Sequence, residues 1–217
     1  MSEATDRPGG WDARHSDDPG RWDHRFDAPG YLFGTEPAAF VHARVGLLAP
    51  GSRVLAVADG EGRNSVFLAQ HGLAVTAFDG SPVAVAKARS LAQARGVDVA
   101  FHVSDVDEWD WAPRRFDAVV AVFIQFAAPA SRARLFDAMI ATLAPGGVLL
   151  LHGYTPAQIS YGTGGPPDAE NMYTAALLAE AFAGHDIVEL VEYEADLDEG
   201  PAHRGRSALV DCVVRRR

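Results

Sequence analysis

Asp59, Gly60, Glu61 and Gly62 follow directly on the apolar run from Val54 to Ala58, and Arg63 and Asn64 come next. A glycine-bearing turn after an apolar strand lets the backbone approach a ligand closely, and the following helix presents its N–H groups there. Such turns usually hold phosphate, yet this one carries two carboxylates, which repel an anion. Asp79 ends a second apolar run, "AVTAFD", where a carboxylate accepts hydrogen bonds from both hydroxyls of a ribose. Ser104, Asp105 and Val106 end a third run, and Phe123, Ile124 and Gln125 a fourth. The third glycine of a dinucleotide turn is missing, since Ser65 takes its place. An adenosine-bearing ligand without phosphate fits these positions, above all a cationic one. S-adenosylmethionine, with a sulfonium and an ammonium group, meets that description.

These residues must be carried to one place by regular elements. A helical pattern runs from Glu36 through Phe40, Val41 and Val45 to Leu48, and "APGS" ends it. Strands "RVLAVA", "AVTAFD", "VDVAFHV", "FDAVVAVFI" and "VLLLHGY" then alternate with helices at Asn64–His71, Pro82–Arg95 and Arg132–Leu143. Near-continuous apolar strands separated by helices predict a parallel sheet buried on both faces, an α/β doubly wound fold. A helix is expected at Thr174–Phe182, and two closely linked extended segments at the end predict an antiparallel addition at the sheet edge. One domain is expected over residues 1–217, with a flexible lead-in at 1–21, an N-terminal lid at 22–50 and the core at 51–217. More broadly, the first 36 or so residues show no sustained period.

The chain has 217 residues and a formal net charge of -10, with Lys87 its single lysine. An acidic surface repels a phosphate backbone, so no nucleic-acid partner is expected, and the basic run Arg215–Arg217 reads as a solvated tail. Cys212 is the sole cysteine, which excludes an intramolecular disulfide. "MSEATDRPGG" lacks the order of a signal peptide, and no apolar run approaches membrane-spanning length, so a cytoplasmic protein without a membrane partner is expected. The eight histidines are scattered without ligand spacing, so no metal is expected.

The segments "VLAVADGEGRNSVFLA", "VTAFDGSPVAVAKAR", "LAPGGVLLLHGYTPAQ", "YGTGGPPD" and "LDEGPAHRG", with "GYLFGTEP" before them, carry a resemblance from about Trp22 to Val214. In this order they resemble bacterial class I S-adenosylmethionine-dependent methyltransferases of the tellurite-resistance and thiopurine-methyltransferase-like group. The resemblance implies a Rossmann-like methyltransferase fold: a seven-stranded, mostly parallel sheet with the last strand antiparallel. It also implies close cofactor approach at Gly60 and Gly62, ribose binding by Asp79, and an adenine bordered by Gly80, Ser81, Asp105 and Val106. The group's first strand commonly ends in Asp-x-Gly-Cys-Gly. Here Ala56 replaces the acid, Ala58 the first glycine and Asp59 the cysteine. Asp59 is therefore a candidate to replace the lost acid on the methionine ammonium. Arg63 is a candidate for the cofactor carboxylate or for an ion pair with Glu36, and Asn64 and Phe123 complete the expected cofactor set.

For the acceptor, Gln125, His152 and Tyr154 are the catalytic candidates, and Tyr31, Phe33, Phe126, Tyr161 and His203 the substrate candidates. A sulfonium is already an activated leaving group, so the protein must mainly align the acceptor and exclude water. The resemblance suggests a small-molecule sulfur, selenium or tellurium nucleophile, which requires no base. An amine or hydroxyl acceptor would give His152 or His203 a general-base role. A cofactor-binding module without turnover and a nicotinamide oxidoreductase are the other readings. Nothing in the sequence sets the oligomeric state.

Overall fold

The computed structural model describes residues 19–113 and 115–217. Its centre is a seven-stranded sheet in the order β3-β2-β1-β4-β5-β7-β6. Strands β1 (Arg53–Val57), β2 (Ala74–Asp79), β3 (Ala100–Val103), β4 (Phe116–Val122) and β5 (Leu143–Tyr154) are parallel. β7 (Arg204–Arg215) enters antiparallel between β5 and β6 (Asp186–Asp198). The expected fold class and its antiparallel addition are both present. β1 is buried along Val54–Val57 and β4 at Phe116 and Ala118–Ala121, because helices cover both faces there.

The helices are α1 (Pro19–Phe26), α2 (Ala39–Arg44), α3 (Arg63–Gln70), α4 (Pro82–Arg95), α5 (Pro129–Thr142) and α6 (Ala175–Ala181). α4 has the strongest local signals: Pro82 opens it, the Ser81 hydroxyl accepts the Ala84 N–H at 3.1 Å, and Gly96 ends it at φ 68°. One core cluster packs Phe78, Phe116, Phe136, Met139, Tyr173 and Phe182 on one face, while Phe40, Phe67, Leu68 and Leu150 belong to a cluster on the other.

Several sequence expectations shift; α5 starts at Pro129 rather than Arg132, and β5 at Leu143 rather than Val148. The helix expected from Glu36 to Leu48 is split into α2 and a 3₁₀ turn at Val45–Leu47, since Gly46 falls within a short apolar stretch. β3 starts at Ala100, three residues later than its apolar pattern suggests, because pairing with β2 begins only there. The lead-in at 1–21 lies mostly outside the described residues, but α1 covers its last three residues and continues into the lid, within the stretch read as lacking a period. Only eight residues long, α1 shows too few turns for a period to be visible.

Candidate functional site

β1 and β4 are neighbours although β2 and β3 lie on one side and β5 on the other, so their carboxyl ends open a crevice. Two non-glycine residues there have left-handed backbones: Ala58 at φ 47° and Phe123 at φ 58°. Side chains rarely adopt this conformation, and it recurs where surrounding structure holds a site in place. Ala58 occupies the place of the glycine found in related turns, and its φ explains why glycine suits that place.

The cleft above these ends is lined by Ala58, Asp59, Gly60, Arg63, Asn64, Asp79, Gly80, Ser81, Asp105, Val106 and Phe123, eleven of the twelve expected cofactor residues. Gly62 is not a lining residue: it begins α3 at φ 90°, with Ala88 of α4 so close that a Cβ would come within 2.7 Å. Its role is helix packing. Phe33, Phe126, His203, Gln125 and Tyr154 also line the cleft, whereas Tyr31, Tyr161 and His152 do not.

Asp79 closes the turn on itself, accepting the Gly60 N–H at 2.8 Å and the Ser81 N–H at 2.9 Å. Burial raises its carboxyl pKa, and Asp23 and Asp105 push in the same direction. Each oxygen keeps a lone pair for a diol. Asp59 accepts the Ser65 N–H at 3.3 Å on one oxygen and the Ser65 hydroxyl on the other. Burial raises its pKa to about 7. Glu61 turns away from the cleft altogether. It accepts the Leu32 N–H at 2.7 Å and faces Lys87 at 3.0 Å, so it anchors the N-terminal segment. Asn64 does the same with the Ala38 N–H at 3.0 Å. Of the two carboxylates in the opening turn, only Asp59 lines the cleft.

Arg63 does not pair with Glu36, which instead meets Arg95 at 2.6 Å. Its partner is Glu199 at 2.9 Å, from the turn between β6 and β7. Arg63 Nη1 remains buried without a hydrogen-bond partner.

The other end of the cleft is aromatic. Phe123 lies 4.3 Å from the His203 ring and 4.6 Å from Tyr154, and Phe33 lies 4.4 Å from His203. The Tyr154 hydroxyl and His203 Nδ1 are buried without partners. Burial, with Arg63, His152 and Arg25 nearby, holds the His203 pKa well below its ordinary value, while burial raises that of Tyr154. Both side chains are therefore neutral near pH 7. Gln125 has no free amide: its Nε2 donates to the Tyr154 carbonyl at 2.7 Å and its Oε1 accepts the Tyr154 N–H at 2.6 Å. It clamps β4 to β5. His152 stacks on Phe40 at 4.9 Å and binds Asp211 at 2.6 Å, out of the cleft. Tyr31 donates to the Lys87 carbonyl, and Tyr161 interacts with Glu194 and Arg206 on the β6–β7 hairpin.

Trp22, Arg25 and Phe26 of α1 line the cleft without having been singled out in the sequence, as do Gly164, Gly165, Pro166 and Ala202. Trp22 stacks on Phe26 at 5.4 Å, and Phe26 meets Phe33 edge-on at 6.1 Å. The i, i+4 spacing of Trp22 and Phe26 was the available signal.

Residues 54–147 match the family profile described as a methyltransferase domain. The chain carries a methyltransferase domain. S-adenosylmethionine is the cofactor that this domain implies. Its features fit the cleft: free lone pairs on Asp79, close backbone approach at Gly60, and an unpartnered guanidinium N–H on Arg63.

Solved structures extend the likeness beyond the methyltransferase domain's matched residues. One, from work on the conversion of a disulfide bond into a thioacetal group during echinomycin biosynthesis, has a TM-score of 0.75 at 21% identity over 93% of this chain and 91% of that one. N-methyltransferase NodS from Bradyrhizobium japonicum WM9, in complex with S-adenosyl-L-homocysteine, has a TM-score of 0.68 at 16% identity over 91% and 97%. TehB from Haemophilus influenzae has a TM-score of 0.67 at 17% identity over 83% and 62%. At these identities the likeness establishes the fold. No curated protein matches the sequence. Among the described residues no helix is long and apolar enough to cross a membrane, and no group of three or more potential metal ligands is present.

Proposed function

We infer that the protein transfers a methyl group from S-adenosylmethionine to a small-molecule acceptor with a soft sulfur, selenium or tellurium nucleophile. The observation that carries this reading is the contrast between the two ends of one cleft. One end offers Asp79 and Asp105 for an adenosine, and the other offers aromatic rings with two neutral polar groups, Tyr154 and His203.

The cofactor supplies an activated methyl group whose departure leaves a neutral thioether. Asp79 would orient the ribose, and Gly60 would let the chain pass close to it. Arg63, whose Nη1 has no partner, would hold the carboxylate of the amino-acid end. Phe33, Phe123 and α1 exclude water, which would otherwise solvate the nucleophile and slow its attack. A polarisable nucleophile already ionised at neutral pH needs alignment and desolvation only. The cleft provides both, and Gln125 and His152 serve as supports for its floor.

One structural neighbour, from work on the conversion of a disulfide bond into a thioacetal group, supports the choice of a sulfur acceptor. A second reading, an amine or hydroxyl acceptor, is favoured by His203, whose neutral Nδ1 has no partner and can take a proton. A turnover screen read out as S-adenosylhomocysteine formation separates the two. Thiols and chalcogen oxyanions are expected to turn over and amines not to. Turnover of amines or alcohols alone would overturn the soft-nucleophile reading. Cofactor binding with no turnover across the panel would favour a non-catalytic module.

A further inference from the structure

Glu199 stands at the end of β6 with its side chain nine-tenths buried, and its two oxygens face two different elements. Oε1 accepts the N–H of Ala39 in the N-terminal segment at 2.9 Å. Oε2 lies 2.9 Å from Arg63 Nη2, a close ion pair whose angles fall outside those of a hydrogen bond. Arg63 is itself 7% exposed and lines the cleft, and its Nη1 has no partner. A buried guanidinium N–H without an acceptor is costly, so this group is complete only when an anion sits against it.

The neighbouring backbone shows how Glu199 is held. Gly200, at φ 93°, lies so close to the N-terminal segment that a Cβ would stand 2.4 Å from Gly34 N and from the Phe33 carbonyl carbon. The Ala202 N–H donates to the Leu32 carbonyl at 3.2 Å. The N-terminal segment and the β6–β7 turn thus meet at Glu199, far from the glycine turn in sequence and beside it in space.

We propose that Glu199 is a positioning residue that holds Arg63 against the carboxylate of the cofactor's amino-acid end, and that this hold depends on docking of the N-terminal segment against the β6–β7 turn. The proposal rests on the cofactor reading given above. It makes recognition of the amino-acid end a property of the closed cleft, while the adenosine end is held by residues at the ends of β1, β2 and β3.

Two ligands separate these ends: S-adenosylhomocysteine, which has the amino-acid group, and 5′-methylthioadenosine, which lacks it. Calorimetric titration of the full chain with each is expected to show tighter binding of the former. Glu199→Gln keeps the shape and removes the charge that orients Arg63. It is expected to weaken S-adenosylhomocysteine by about tenfold, the scale of one charge-assisted hydrogen bond, and to leave 5′-methylthioadenosine within about twofold. Gly200→Ala, which keeps both charges but pushes the N-terminal segment away, is expected to give the same split. Equal losses for both ligands, or no loss for either, would overturn the proposal. Wild-type binding of both ligands with equal affinity would overturn the coupling while sparing the cofactor reading. Binding of neither would remove the cofactor reading and the coupling together.

Discussion

Asp79 offers the most direct test of an individual residue. Both of its oxygens already accept backbone N–H groups, so the side chain is locked with its remaining lone pairs toward the cleft. Asp79→Ala is expected to cost about 2 to 3 kcal/mol of S-adenosylhomocysteine affinity by calorimetry, the size of a lost charged hydrogen-bond partner. Unchanged affinity would remove Asp79 from the site. Asp59 makes a prediction about pH. Its folded pKa of about 7 lies above the ordinary 3.8, so the folded chain holds the proton more tightly. This group's stabilising contribution is present below the unfolded value and is lost as pH rises through the folded one. Asp59→Asn keeps an acceptor for Ser65 and is expected to raise the melting temperature at about pH 8 more than at about pH 5. A larger gain at the acid end would contradict it. Asp79 was legible in the sequence because one residue type at one strand end is enough to suggest it. The division of labour between Asp59 and Glu61 was not, since both carboxylates lie in one turn and only the folded backbone decides which faces the cleft.

Among the elements, the turn from β1 into α3 depends on how closely α3 approaches α4. Gly62 has φ 90° and a Cβ there would meet Ala88 Cβ at 2.7 Å and Cα at 2.9 Å. Gly62→Ala is expected to lose about 2 kcal/mol or more of stability in chemical denaturation, from overpacking and left-handed backbone together. A loss within about 0.5 kcal/mol would mean that α3 and α4 can separate freely. The strands and α4 were readable because apolar runs, a proline start and a glycine stop are local signals. The functions of Gln125 and His152 were not. Both are polar residues at strand ends, where an acceptor site is expected, but one clamps Tyr154 and the other is bound to Asp211. Such partners lie 29 and 59 residues away in sequence, and no local pattern announces them.

For the whole molecule, the cleft is closed by parts distant in sequence: α1, the segment around Phe33, and the loops at Gly164–Pro166 and Ala202–His203. A ligand seated there ties these parts to the sheet and stabilises the folded chain by mass action. S-adenosylhomocysteine at about one hundred times its dissociation constant is expected to add about 2.7 kcal/mol, seen as a higher melting temperature. No change in melting temperature at saturation would contradict a folded-state site. The parallel sheet and its antiparallel addition were visible as a change in texture along the sequence, whereas the roof of the cleft was not, because α1 gives too short a pattern and Glu199 acts through a tertiary contact. The most direct test of the account is a calorimetric titration of the full chain with S-adenosylhomocysteine and, separately, with NAD. Saturable single-site binding of S-adenosylhomocysteine, lost in Asp79→Ala, with no binding of NAD, is the predicted result. Binding of NAD with none of S-adenosylhomocysteine would contradict it.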